Sequence, residues 1–219
     1  MTAAVGSGVA VRVAGLCLDR RGRLAPQLLC STAARAGLLV DLALAGRLTE
    51  TDDSIELDDS PTGSPPADLL LREVTAHPGA SLDDWLERPR PTLRDVAGDA
   101  VGTGRWELRR GVHLAPRFTV LVGDPLADVA RDPTDVAAGW TPADAAVTAI
   151  GLSAGLLGRD RRQGASSYGT EPVPDVILDA GGSLRWLLVA VTDHLADARW
   201  RYALEGTALG SGGGYTGAC

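Results

Sequence analysis

The chain contains no lysine and no asparagine, a single phenylalanine, and only 4% aromatic residues in its 219 positions. All 21 basic residues are therefore arginine, a bias that a GC-rich genome imposes and that points to a bacterial, actinobacterial source. With so few rings available, a core has to be filled by Leu, Val and Ala. Three cysteines, Cys17, Cys30 and Cys219, show no C-x-x-C spacing and are odd in number, which argues against a disulfide framework and suits a reduced, cytoplasmic setting. The histidines His77, His113 and His194 are too scattered for ligand spacing, so neither a metal nor any other cofactor is expected. No run of about 18 uninterrupted apolar residues occurs, which excludes a membrane-spanning helix. The opening stretch lacks a basic region before its apolar run and is interrupted by Arg12, making it a poor signal peptide.

What is present is an ordinary globular balance, 45% hydrophobic and 22% charged, with a net charge of −7. The acidic balance argues against nucleic acid as a partner, because backbone affinity there comes mostly from cations. Any anion binding must come from a local arginine cluster.

Apolar spacing gives the element order. Residues 8–18 read as a strand or the lead-in to a helix, followed by a turn at Asp19-Arg20-Arg21-Gly22. From Gln27 to Ala45 the positions Leu28, Leu29, Ala33, Ala36, Leu39, Val40, Ala43 and Leu44 follow helical spacing, with Gly46 as the stop. Arg47 to Asp59 suits a short hairpin, and Ala67 to Ala76 returns to a helical pattern. Ser81 with Asp84 is a capping-box variant, and a helix from about Pro91 to Val101 ends in Gly102-Thr103-Gly104. Arg105 to Val122 reads as a second hairpin turning at Arg109-Arg110-Gly111. Start signals at Asp124-Pro125 and Thr141-Pro142 open a short helix to about Arg131 and a longer one to Leu157. Residues 159–174 look like a linker, and Leu184 to Leu204 like a last amphipathic helix. No βαβ alternation or internal repeat is seen, so the fold class is mainly α with two small β-hairpins. The expected division is a helical domain over 1–158, a linker and packed helix over 159–205, and a disordered Gly-rich tail over 206–219.

Two local motifs have plain structural explanations. Gly151-Leu152-Ser153-Ala154-Gly155 has G-x-S-x-G spacing but lies inside an expected helix, where small residues serve close packing. The pairs Asp52-Asp53 and Asp58-Asp59 lack the Gly-centred loop of a calcium site and read as hairpin surface charge.

The stretch Ala34-Arg35-Ala36-Gly37-Leu38-Leu39-Val40-Asp41-Leu42-Ala43-Leu44-Ala45-Gly46-Arg47-Leu48 closely resembles the first core helix of the Golgi phosphoprotein 3 family, which ends in an acid-Leu-Ala-Leu-x-Gly-Arg-Leu phrase. Pro61-Thr62-Gly63, the Leu-rich start at Asp68-Leu69-Leu70, Trp85, and the helix closing in Gly104 before a hairpin follow in the family's order, covering roughly residues 12–158. The resemblance implies a compact helical fold without catalytic activity that binds a phosphoinositide headgroup and touches the membrane through a hairpin. Carried over by position, it implies Arg35 and Arg90 as headgroup ligands; the second of the family's paired arginines falls on Leu93, with Arg94 beside it taken in its place, and the family's Trp falls at or near Pro26. Guanidinium forks suit phosphate because they bond two oxygens at once and stay charged. Arg35 lies among apolar neighbours, so a structural ion pair to Asp41 or Asp84 is the competing reading. At the second hairpin, Trp106, Arg109, Arg110, Val112 and Leu114 are the expected membrane contacts.

The expected function is a peripheral adaptor at the inner face of the membrane, with an anionic phospholipid or other small anion as partner. The alternative is a small-molecule enzyme or binding protein of specialised metabolism on the same fold. The apolar stripe Leu184, Leu187, Leu188, Val191, Leu195, Ala198 and Tyr202 is expected to pack on its own domain, leaving a homo-oligomer through that helix as the other use.

Overall fold

A computed structural model describes residues 8–25, 28–51, 54–109, 116–121, 140–157 and 172–210, with side chains as far as 202. In chain order the described elements are α1 (Val9–Leu16), α2 (Leu28–Leu44), β1 (Leu48–Glu50), β2 (Ile55–Leu57), α3 (Pro65–Thr75), α4 (Leu82–Glu87), α5 (Leu93–Gly102), β3 (Trp106–Arg109), β4 (Arg117–Val120), α6 (Pro142–Ser153), α7 (Asp175–Ala180) and α8 (Arg185–Gly210). The strands make two antiparallel pairs, β1 with β2 and β3 with β4. The mainly helical expectation is met.

α2 is the axle. Every residue from Thr32 to Leu42 is buried, and the helix touches α1, α3, α4, α5, α6 and α8. A helix apolar on all sides has no surface to offer and belongs in the middle of a core. Burying Leu39 and Leu42 here contributes roughly 2 kcal/mol each. Gly37 sets how closely α1 can lie, since a Cβ there would stand 2.6 Å from the Ala10 Cα.

α1 occupies the segment that sequence left between strand and helix. Val9, Val11 and Val13 favour a strand, but burial against α2 outweighs that weak local preference. Its start is capped from outside. Gly8 has no side chain to serve as a cap, and Asp41 of α2 accepts the N–H groups of Val9 at 2.8 Å and Ala10 at 3.0 Å. A Cβ on Gly8 would strike the Asp41 carboxylate. Burial pushes the Asp41 carboxyl up to about 6, against the opposing pull of these two N–H groups and of Arg105 and Arg12.

Three helices start at complete capping boxes, Ser81 with Asp84, Thr92 with Asp95, and Thr141 with Asp144. Each satisfies backbone N–H groups that the first turn leaves unpaired. In the first hairpin Leu48 pairs with Leu57, and its Leu48 side chain is buried. In the second, Trp106 pairs with Val120 and Leu108 with Phe118. The Trp106 and Phe118 rings meet edge-on at 5.9 Å and 64°, pinning the hairpin to the core.

Several boundaries differ from those expected. α6 stops at Ser153, because Gly155 takes a left-handed conformation at φ +66. α7 lies just beyond the stretch expected to be a linker, where Pro174 precedes a short apolar run, Val176-Ile177-Leu178. α8 continues to Gly210, so the segment after 205 begins as helix and not as tail. The expected short helix after Asp124 and the turn at 110–115 fall outside the described residues, as do 211–219. Ser153 is buried at the end of α6, and a Cβ on Gly151 would strike Leu157, which accounts for the small residues of the G-x-S-x-G spacing. Among the described residues no helix is long and apolar enough to cross a membrane, and no cluster of His, Cys, Asp or Glu could hold a metal.

Candidate functional site

Arg35 projects from the middle of α2 and is 5% exposed. Its Nε donates to the Leu86 carbonyl at 2.7 Å, Nη1 to the Pro91 carbonyl at 3.1 Å, and Nη2 to Thr32 Oγ1 at 3.1 Å. The guanidinium thus clamps both ends of the loop that joins α4 to α5. Neither Asp41 nor Asp84 is its partner. Asp41 faces α1, and Asp84 closes the box on Ser81 at the other end of α4. Burial lowers the Arg35 pKa to about 10, with Tyr202 and Glu87 holding it up. It stays charged at neutral pH, its charge spread over neutral acceptors.

The clamped loop carries Arg90, whose bond to Pro91 is cis, and leads into α5 with Arg94 in its first turn. Both arginines are exposed. They border a cleft of about 460 Å³ lined by Leu24, Ala25, Leu28 and Ser31 on one side and Arg90, Thr92, Leu93, Arg94 and Asp95 on the other. Ser31 Oγ stitches the two walls together by accepting the Leu93 N–H at 3.2 Å.

The charge in this cleft is biased towards anions. Asp95 is its one carboxylate, and one oxygen already accepts the Thr92 N–H and Oγ1–H, each at 2.7 Å. Leu28, the first residue of α2, also lines the cleft, and helix N-termini carry positive partial charge, whereas the start of α5 is already closed by its Thr92–Asp95 box. Leu28, which lines the same cleft as Arg90 and Arg94, is 67% exposed.

Of the expected headgroup ligands, the structure brings Arg90 and Arg94 together on the cleft. It sets Arg35 behind them as the clamp of their loop, and Arg35 does not line the cleft. Pro26 lies outside the described residues. Of the expected membrane contacts, Arg109 is exposed and pairs with Glu107 at 3.2 Å. Trp106 is corrected: at 2% exposure it belongs to the core against Phe118 and has no face for a bilayer. Arg110, Val112 and Leu114 lie outside the described residues. Sequence reading missed Leu28, Ser31 and Thr92. Thr92 with Asp95 was visible as a capping signal, whereas the role of Ser31 depends on a partner 62 residues away.

With the geometry in hand, the comparison with known families is decisive. Residues 16–168 match the sequence profile of Golgi phosphoprotein 3 (GPP34), more than half of the chain. The chain belongs to the Golgi phosphoprotein 3 family. No curated protein matches it. The family span takes in α2, both hairpins and the whole cleft, while α7 and α8 lie beyond it. α8 nonetheless packs on α2, α4 and α6, so the Golgi phosphoprotein 3 core is closed by an element that the family profile does not cover.

Proposed function

We propose that this member of the Golgi phosphoprotein 3 family is a peripheral adaptor whose cleft takes an anionic, phosphoinositide-like lipid headgroup, with no catalytic step. The observation that carries the reading is the meeting of Arg90 and Arg94 with exposed Leu28 around one cleft. The arginines would fork onto phosphate oxygens, and Leu28 would lie against the acyl–headgroup boundary. Ser31 and Thr92 would set the edge of the sugar or glycerol portion. Arg35 would act one layer back, holding the loop so that Arg90 reaches the phosphate.

A cleft of this size also fits a free metabolite, as in a small-molecule enzyme or binding protein on the same fold. The exposed leucine favours the lipid, since a soluble anion gains nothing from it. Vesicle co-sedimentation separates the readings. Binding that requires anionic lipid and falls at least tenfold in Arg90→Ala/Arg94→Ala supports the headgroup site. Retention in the supernatant with every lipid, together with tight binding of a soluble phosphate ester, would favour the metabolite.

A further inference from the structure

We propose that His194 and Arg201 of α8 are positioning residues for the headgroup cleft: through Asp83 and Glu87 they fix α4, and with it the loop that carries Arg90. The proposal rests on the headgroup reading and deepens it, from the residues that line the cleft to those that set it.

α4 is six residues long, too short to hold itself as a helix in water. Its capping box at Ser81 and Asp84 fixes where it starts, not how it lies. Direction has to come from its neighbours, α2, α3 and α8, against which it buries Trp85 and Leu86. Asp83 and Glu87 stand four residues apart, one turn along a single face of α4. His194 and Arg201, seven apart, share a face of α8 two turns long. Across this seam His194 Nδ1 meets Asp83 Oδ1 at 2.9 Å, and Arg201 Nη2 donates to Glu87 Oε1 at 2.7 Å. One such link would leave α4 free to pivot. Two links a turn apart fix its direction.

Both links are specific. A carboxylate only accepts, so the His194 ring carries its proton at Nδ1 and donates it to Asp83. The rest of that side chain is 5% exposed, and its Nε2 is buried without a hydrogen-bond partner, so Asp83 is the ring's one polar contact. The second link lies where the clamp works. Leu86, next to Glu87, gives its carbonyl to Arg35 Nε. Glu87 and Tyr202, the residue after Arg201, are both near enough to support the Arg35 charge. Arg35 therefore grips this end of α4 from the core while α8 grips it from outside.

Immediately beyond come Arg88, Pro89 and Arg90, a connection so short that a tilt of α4 carries straight to Arg90. Arg94 is fixed differently, on α5, by the Thr92–Asp95 box and the bond from the Leu93 N–H to Ser31. Asp83, Glu87 and Arg90 lie inside the matched family span, whereas His194 and Arg201 lie outside it. The last helix is thus an outside brace on one of the two cleft arginines.

The test compares wild type with Asp83→Ala/Arg201→Ala, which removes both links, and with Asp83→Asn/Arg201→Lys, which keeps an acceptor and a cation. Exposed pairs add little to folding, so all three proteins should share one unfolding midpoint. Apparent affinity scales with the fraction of protein whose loop is set, so the alanine pair should bind glycerophosphoinositol about fivefold more weakly. The Asn/Lys pair should bind like wild type. Added to Arg94→Ala, the alanine pair should again weaken binding about fivefold, and added to Arg90→Ala it should change nothing. In the ligand-free protein, the amide NMR signals of Arg88 and Arg90 should move in the alanine pair and return in the Asn/Lys pair. Loop signals that stay in place, an Asn/Lys pair as weak as the alanine pair, or equal weakening of Arg90→Ala would each overturn the brace. If glycerophosphoinositol binds none of these proteins the headgroup reading fails, and the ligand-free loop signals alone decide the brace.

Discussion

Two buried charges on α2, Arg35 and Asp41, do opposite jobs by the same means. Arg35 donates to the carbonyls of Leu86 and Pro91, and Asp41 accepts from the N–H groups of Val9 and Ala10. Each ties down the backbone of a segment far away in sequence, and neither depends on the other. The cation holds the loop that bears the cleft, whereas the anion holds the start of α1, which packs on α2, α5 and α6. A buried charge need not be a ligand site: where side-chain ligands are scarce, unpaired backbone groups take their place. The charges free to meet a ligand are the exposed ones, Arg90 and Arg94.

The contrast can be broken in graded steps. Arg35→Ala should cost the most, about 3–4 kcal/mol by urea unfolding, because it strands two buried carbonyls as well as losing the cation's packing. Arg35→Lys keeps a charge but cannot reach both carbonyls, and should recover only part of that loss. If Arg35→Ala were as stable as wild type and only ligand binding fell, the clamp would be wrong.

Asp41→Asn should cost about 1–2 kcal/mol at neutral pH, since one amide oxygen cannot receive two N–H groups and the amide nitrogen opposes the second. Its pH dependence is distinctive. The folded carboxyl titrates at about 6 against an ordinary value of 3.8, so the folded protein holds this proton more tightly than the unfolded chain. The stability this group contributes is complete below about pH 4 and is lost as pH rises through 6. The stability gap between wild type and Asp41→Asn should therefore widen as pH falls from about 7 to about 4. A gap that narrows would contradict the buried placement of Asp41.

Gly37→Ala should cost a comparable amount, about 1–2 kcal/mol, because the new methyl meets Ala10 backbone and not a side chain that can turn away. The smallest effect on folding belongs to Arg90→Ala/Arg94→Ala, whose thermal unfolding midpoint should match wild type while headgroup binding is lost. A large fall in that midpoint would move these two residues from ligand contact to scaffold.

How much of this could be read from sequence depends on how far away each partner lies. α2 was legible in its apolar spacing, and the capping box at Ser81 and Asp84 in residues three apart. Val9 to Leu16 was ambiguous because its valines favour a strand, and only packing on Gly37 decides for helix. The family phrase around Arg35 and Asp41 was plain, but its meaning was not. Nothing near Arg35 in sequence reveals that its acceptors are the backbone carbonyls of Leu86 and Pro91, so carboxylates, Asp41 on the same helix and Asp84 two residues before Leu86, were natural but mistaken partners. Trp106 looked like an inserting group because the Phe118 ring that it packs against lies across the turn in sequence. Counting back from Gly104 placed Arg90 and Leu93, with Arg94 taken as the neighbouring substitute, and both arginines line the cleft.

The central claim is that the cleft between Arg90, Arg94 and the start of α2 receives an anionic headgroup while Arg35 holds its wall. Titration of the isotope-labelled protein with glycerophosphoinositol, followed by amide NMR, tests it most directly. The account predicts saturable shifts concentrated on residues 24–31 and 90–95, absent in Arg90→Ala/Arg94→Ala with the rest of its spectrum unchanged. Shifts centred elsewhere, or a full response in that double variant, would contradict it.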